Sequence, residues 1–107
     1  MALLNDSNEK KYLRIVREEG KKYGYSGIQI STNPKYKLMI HNGNKLIHFG
    51  SRTNSDFILY MLNGEYDKAI KMRNSYLKRT SKIKGDWKKN NYSKNNLARR
   101  IIWFENS

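Results

Sequence analysis

The sequence predicts an α+β fold: a small single domain in which an antiparallel β-hairpin or three-stranded sheet packs against three to four helices. Three observations carry that expectation. A chain of 107 residues fits one hydrophobic core, since a domain typically takes about 100 to 200 residues. Two runs of alternating apolar residues flank the turn pair Asn42-Gly43, which is a hairpin signature. On either side of them, apolar residues recur at the spacing of helices.

In chain order, Asp6 or Ser7 can cap a first helix that opens at Glu9, with Tyr12, Ile15 and Val16 on one face and Gly20 or Gly24 at its end. Residues 23–31 then change period, with Ile28 and Ile30 alternating against polar neighbours before the Asn33-Pro34 breaker, so a short strand is expected. Residues 1–34 read as an extension made of this helix and possible first strand, and residues 35–107 as the hairpin plus a basic helical region, within one domain overall. Whether the extension joins the domain or serves as an arm is left open by the sequence.

The hairpin is Lys35-Tyr-Lys-Leu-Met-Ile-His41, then Asn42-Gly43, then Asn44-Lys-Leu-Ile-His-Phe-Gly50. A type I′ turn centred on Asn42-Gly43 pairs His41 with Asn44, Leu38 with Ile47 and Tyr36 with Phe49. The face carrying those four apolar side chains is expected on the core, and Lys37, His41 and His48 on the wet side.

After Gly50, Asn54-Ser55-Asp56 offers caps for a short buried helix over Phe57–Leu62, ended by Asn63-Gly64. From Glu65, the residues Tyr66, Ala69, Ile70, Tyr76, Leu77 and Ile83 form an apolar stripe, which predicts a long helix stopping at Gly85. Residues 86–96 read as a loop and residues 97–104 as a last helix that buries Leu97, Ile101 and Phe104.

Charge is distributed unevenly. Residues 1–67 carry ten basic and seven acidic side chains, whereas residues 68–100 carry twelve basic and one acidic, a net of +11 within a chain total of +13. A field of that density attracts polyanions and steers encounter with them, so the functional surface is expected in the C-terminal half. The candidate binding residues for nucleic acid or another acidic partner are Lys78, Arg79, Lys82, Lys84, Lys88, Lys89, Arg99 and Arg100. Trp87, Tyr92 and Trp103 are candidate interface aromatics that would stack on bases or anchor a protein partner. The alternative for these aromatics is packing: Trp87 and Tyr92 hold their loop on the helix while the lysines solvate a face.

The rest of the chemistry is sparse. Without Cys there is no disulfide, thiolate ligand or Cys nucleophile. His41 and His48 lack further ligands or an acidic partner nearby, so no catalytic residue, metal or cofactor is expected, and the chain reads as a non-enzyme. Gly24-Tyr-Ser-Gly27 lacks the spacing of a phosphate-binding loop and reads as a turn. No signal segment is apparent, and the longest apolar run, Phe57–Leu62, is six residues against the roughly 20 that span a bilayer, so a soluble protein without membrane insertion is expected.

Four pieces in fixed order carry a family resemblance: Lys35-Tyr-Lys-Leu-Met-Ile with Asn42-Gly43, Ile47-His-Phe-Gly50, Ser55-Asp-Phe57, and Leu97-Ala-Arg-Arg-Ile-Ile-Trp103 after a basic helix and Trp87. Over residues 35–104 the chain resembles a family of small basic proteins of nucleocytoplasmic large DNA viruses. Ala98 stands where that family usually has Ser, and Arg100 where it has an aromatic. The resemblance implies a viral protein of the virion, otherwise of the host cytoplasm or viral factory, and partners among viral structural proteins or viral DNA. The expected function is a minor structural protein of capsid or core that binds an acidic partner through its Lys/Arg-rich surface. The alternative is sequence-independent association with the viral genome.

Overall fold

The computed structural model describes residues 6–106, with side chains from Asn8 to Asn106. The chain forms α1 (Asp6–Lys21), β1 (Gln29–Ile30), β2 (Tyr36–Asn42), β3 (Lys45–Ser51), α2 (Phe57–Leu62) and α3 (Tyr66–Thr80). A 3-10 turn (Trp87–Lys89) and α4 (Lys94–Leu97) follow, and α4 runs on into a π-helical turn over Ala98–Ile102. The architecture is α+β, with a three-stranded antiparallel sheet in the order β1-β2-β3.

On α1 the stripe expected from the sequence is present: Tyr12 and Val16, one helical turn apart, are fully buried, and Ile15 is half-buried. The cap expected at Asp6 or Ser7 concerns side chains outside the described set. Arg17 donates from Nε to the carbonyl of Ile28 at 2.9 Å, fastening α1 to the segment that leads into β1. One core cluster contains Tyr12, Ile28, Phe49, Ile58, Leu97 and Ile101, drawn from nearly every part of the chain. The described part of the extension is therefore integral to the domain, and each such burial contributes about 1.5–3 kcal/mol.

The hairpin register differs from the expected one. Asn42 pairs with Lys45, Ile40 with Ile47, Met39 with His48 and Leu38 with Phe49. The two central turn residues are thus Gly43 and Asn44, and only Gly43 has positive φ, at 62°. Glycine at the first central position is the type II′ arrangement, which displaces the type I′ turn expected of Asn42-Gly43. The shift is two residues, an even number, so every side chain keeps its face. Leu38 and Phe49 are buried as expected, and Ile40 on the same face is buried too, while Tyr36 and Ile47 are half-buried and His41 is exposed.

Expected on the wet side, Lys37 is instead 1% exposed. Neighbouring strand residues point to opposite faces, and both Lys37 and Leu38 are buried, so this end of the sheet is covered on both sides. The cover over Lys37 includes α4: a Cβ on Gly50 would lie 2.5 Å from Cδ1 of Ile102 and 3.8 Å from the Cβ of Lys37. Gly50 also has φ of +79°. The glycine that closes the Ile47-His-Phe-Gly50 motif is therefore required twice, by its backbone and by the close approach of the last helix.

α2 begins and ends where the sequence places it. Asp56 caps it by accepting the Leu59 N–H at 3.0 Å, and the Asn63 N–H closes on the Leu59 carbonyl at 3.1 Å. α3 is shorter than expected, ending at Thr80 rather than at Gly85. The Thr80 and Ser81 hydroxyls turn back on the Tyr76 and Lys78 carbonyls, each at 2.8 Å, and Arg99 and Asn95 donate to the Leu77 and Thr80 carbonyls, so side chains satisfy the acceptors of the last turn. Its apolar stripe is also only partly covered: Ala69 is buried and Tyr76 and Leu77 are half-buried, while Tyr66, Ile70 and Ile83 stay exposed. α4 starts earlier than expected, at Lys94, because the Ser93 hydroxyl accepts the Asn96 N–H at 3.2 Å as an N-cap. It ends in a π-turn closed by Trp103 N–H on the Ala98 carbonyl at 3.0 Å, after which Phe104 takes φ of 49° and packs on Phe57 at 5.1 Å.

A candidate acidic-partner interface

The segment from Lys78 to Lys94 carries seven basic side chains and one acidic, and buried polar side chains hold its backbone. Arg99, 9% exposed, donates from Nη1 to the Leu77 carbonyl at 2.8 Å and to the Thr80 hydroxyl at 2.6 Å. A cation bonded to the last carbonyls of a helix complements its dipole. The Trp87 indole donates to the Ile83 carbonyl at 2.7 Å, which closes the turn after α3. Buried Asn96 then donates from Nδ2 to the carbonyls of Trp87 at 2.8 Å, Lys88 at 3.2 Å and Asn90 at 2.9 Å. The residue 86–93 segment is an ordered scaffold as a result.

On that scaffold six of the eight candidate cations, Lys78, Arg79, Lys82, Lys84, Lys88 and Lys89, are exposed. None of the six forms an ion pair among the described residues, and only Asp86 interrupts their sequence with negative charge. The other two candidates are structural. Arg99 caps α3 and lies 3.5 Å from Glu105. Arg100, half-buried, donates from Nη1 to the Tyr25 hydroxyl at 3.0 Å and to Asn91 Oδ1 at 3.3 Å. A residue spent on internal carbonyls and hydroxyls is not free to meet a partner, so the ridge is residues 78–89.

The three candidate aromatics differ in how far the fold covers them. Trp103 is buried and stacks on Tyr76, with centroids 4.5 Å apart and planes at 11°. Tyr92 is half-buried and meets Tyr25 edge-on at 5.3 Å. Trp87 is half-buried, with Lys88 and Arg99 each over its ring at 5.5 and 5.4 Å. Trp103 thus lies in the core, while Trp87 and Tyr92 each pack against neighbouring side chains and stay partly accessible. Exposed apolar surface lies instead on and after α3, where Ile83 is 50% exposed between Lys82 and Lys84.

Beside the ridge, between α3, α4 and the covered end of the sheet, is an open cleft of about 610 Å³. Met72, Tyr76, Arg79 and Ile83 line it from the α3 side. Lys94, Ala98 and Trp103 line the α4 side, and Lys37, Gly50 and Asp56 the sheet side. Pieces of all four motifs named above meet here, although they are far apart in sequence.

Under the cleft is a polar network that the sequence did not announce. Lys37 Nζ lies 2.8 Å from Asp56 Oδ2 and donates to the Asn54 carbonyl at 2.5 Å, and the fully buried Tyr12 hydroxyl donates to the same Oδ2 at 2.5 Å. With the Leu59 N–H on Oδ1, Asp56 joins α1, β2 and α2 at one carboxylate. Burial, then the Asp56 charge, raise the Tyr12 phenol well above its ordinary 10.0. The cue available was Lys37 between Tyr36 and Leu38 in a strand that is otherwise apolar as far as Ile40, but its partner Asp56 reads first as a helix cap. At the rim Lys94 donates to the Tyr36 hydroxyl at 2.8 Å, and this bond lowers the Tyr36 pKa.

His48 Nδ1 lies 2.7 Å from the Ser31 hydroxyl, which also meets the Asn33 backbone, an ordinary turn contact. Among the described residues no three His, Cys, Asp or Glu side chains converge as a metal site would need, and no helix is long and apolar enough to cross a membrane. Comparison of the chain with protein-family models, with curated proteins and with solved structures finds no match.

Proposed function

We propose that the protein is a small non-enzymatic component of a large DNA virus particle, a minor structural protein that fits a basic ridge onto an acidic surface of a capsid or core protein. The observation that carries this reading is the ridge itself: six exposed cations on a backbone fixed by Arg99, Asn96 and Trp87, with no ion pair among the described residues. Like charges held together this way are mutually destabilising, and an acidic partner relieves the repulsion. The viral and virion assignment rests on the motif resemblance over residues 35–104.

Two features favour a protein partner. Ile83 sits exposed among the lysines, as an apolar centre within a charged rim does at protein interfaces. Two of the three aromatics that would stack on unpaired bases, Trp103 and Tyr92, pack on Tyr76 and Tyr25 instead. A second reading, sequence-independent association with the viral genome, is supported by the lysine density, because phosphate contacts need only cations and release counterions.

Binding to polyglutamate and to short duplex and single-stranded DNA across a salt series separates the readings, with Lys78, Arg79, Lys82 and Lys84 changed together to Gln as the control. The expected result is polyglutamate binding that the control weakens at least tenfold, with weak DNA binding of shallow salt dependence. A DNA log-log slope of about −4 or steeper, blunted in the control, assigns the genome reading instead. Affinity unchanged in the control for every anion refutes both.

A further inference from the structure

Resting on the protein-partner reading, we infer that the cleft between α3 and α4 seats one apolar side chain from an acidic segment of that partner. The ridge gives general attraction to acids, whereas the cleft gives a place of defined shape. Its volume, about 610 Å³, lies within the range of small-ligand pockets, about 300 to 1,000 Å³, and is ample for a Phe or Leu side chain.

The lining matches that occupant in two respects. Met72, Ile83, Tyr76 and Trp103 supply apolar contact surface, and a methionine adapts to whichever side chain enters. Met72 and Ile83 are themselves exposed, so the apolar surface a guest would cover now faces water.

The charges decide what flanks the anchor. Arg79 and Lys94 are the cations facing the cleft with no acidic partner among the described residues. Asp56 is the one acid lining it among the described residues, and its oxygens are already held by Lys37, Tyr12 and the Leu59 N–H. Carboxylates on either side of the anchor would therefore meet cations and no free acid. The same balance disfavours a second copy of this chain, whose net charge is +13. The arrangement is that of an interface hot spot, a buried apolar anchor within a polar rim.

Two peptides test the inference, one with a single Phe among Glu and Asp residues and one with Ser in its place. Calorimetric titration should show the Phe peptide binding the wild type at least about tenfold more tightly, the gain expected from burying one large apolar side chain. Ser75→Trp fills the cleft from an exposed position on α3 without changing charge. It should abolish the difference while leaving the Ser-peptide affinity in place, and Ile83→Ser should reduce the same difference. Changing Lys82 and Lys84 to Gln should weaken both peptides by the same factor.

Equal affinity of the wild type for the two peptides overturns the cleft assignment, and so does a Phe preference that survives Ser75→Trp. If both peptides bind equally and depend on the ridge, the cleft inference fails while the protein-partner reading stands. If neither binds at low salt, that reading fails as well. A dimer of the protein alone that Ser75→Trp dissociates makes a second copy the occupant and overturns the assignment.

Discussion

Replacing Lys37 with Met removes a cation that is buried with its partner, each side chain being 2% exposed, at an Nζ–Oδ2 distance of 2.8 Å. Met has nearly the same length and volume, so the cavity contribution is small and the loss is electrostatic. Asp56 would keep the Tyr12 hydroxyl and the Leu59 N–H but lose its cation, and the Asn54 carbonyl would lose its charged donor. Removing one partner of a buried pair costs about 3–5 kcal/mol, which already includes the lost hydrogen bonds. Small domains are stable by only about 5–15 kcal/mol, so the variant should be close to the limit of folding. At about 4 °C per kcal/mol for a domain of this size, its melting temperature should fall by about 12–20 °C.

Urea unfolding at neutral pH measures the loss, and a double-mutant cycle with Asp56→Asn measures the coupling. Asn retains the capping role at α2, so the second change mainly removes the charge. The two single losses should exceed the loss in the double variant by at least about 1 kcal/mol, as expected for groups in direct contact. A Lys37→Met protein within about 1 kcal/mol of wild type, or strictly additive losses, would refute the network as a determinant of this fold.

Gly50→Ala combines a positive φ with a Cβ 2.5 Å from Ile102. It should destabilise by about 2–5 kcal/mol, the sum of left-handed strain and overpacking, and adding Ile102→Val, which deletes the clashing methyl, should restore part of the loss in urea unfolding. Arg99→Met strips the cap from α3 and should cost about 2–3 kcal/mol, with amide exchange accelerating in the last turn of α3 before it does in α1. The Tyr12 phenol is raised in the fold above its ordinary 10.0 by burial and by Asp56. Its contribution is therefore complete below pH 10 and declines as pH rises beyond it. Tyr12→Phe should be less stable at pH 7 yet lose stability more gently above pH 10, where Tyr76, also raised by burial, still contributes.

Much of the fold is legible because its signals are local. The period of three and four that places Tyr12 and Val16, the alternation that places Leu38 and Phe49, and the Asp56 cap with its Asn63-Gly64 stop each depend on a few neighbouring residues. The turn failed by one position because Asn42-Gly43 and Gly43-Asn44 both satisfy a hairpin, and the choice between them depends on pairing along the whole of β2 and β3. The burial of Lys37 is not legible locally because its partner Asp56 lies 19 residues away, and Tyr12, which shares that carboxylate, lies 44 residues from Asp56. Arg99 has the same explanation: nothing near it in sequence reveals that the carbonyl of Leu77, 22 residues earlier, is its acceptor. The lysines of residues 78–89 were legible as a surface because charge without nearby acids has nowhere else to go.

The most direct measurement is a heteronuclear NMR titration of the isotope-labelled protein with polyglutamate, following every backbone amide. Shifts concentrated on residues 78–89 are the expected result, with α1 and the hairpin turn unmoved. Shifts concentrated on α1, whose Lys10, Lys11 and Arg14 are also exposed cations, would contradict the placement of the acidic-partner interface on the ridge.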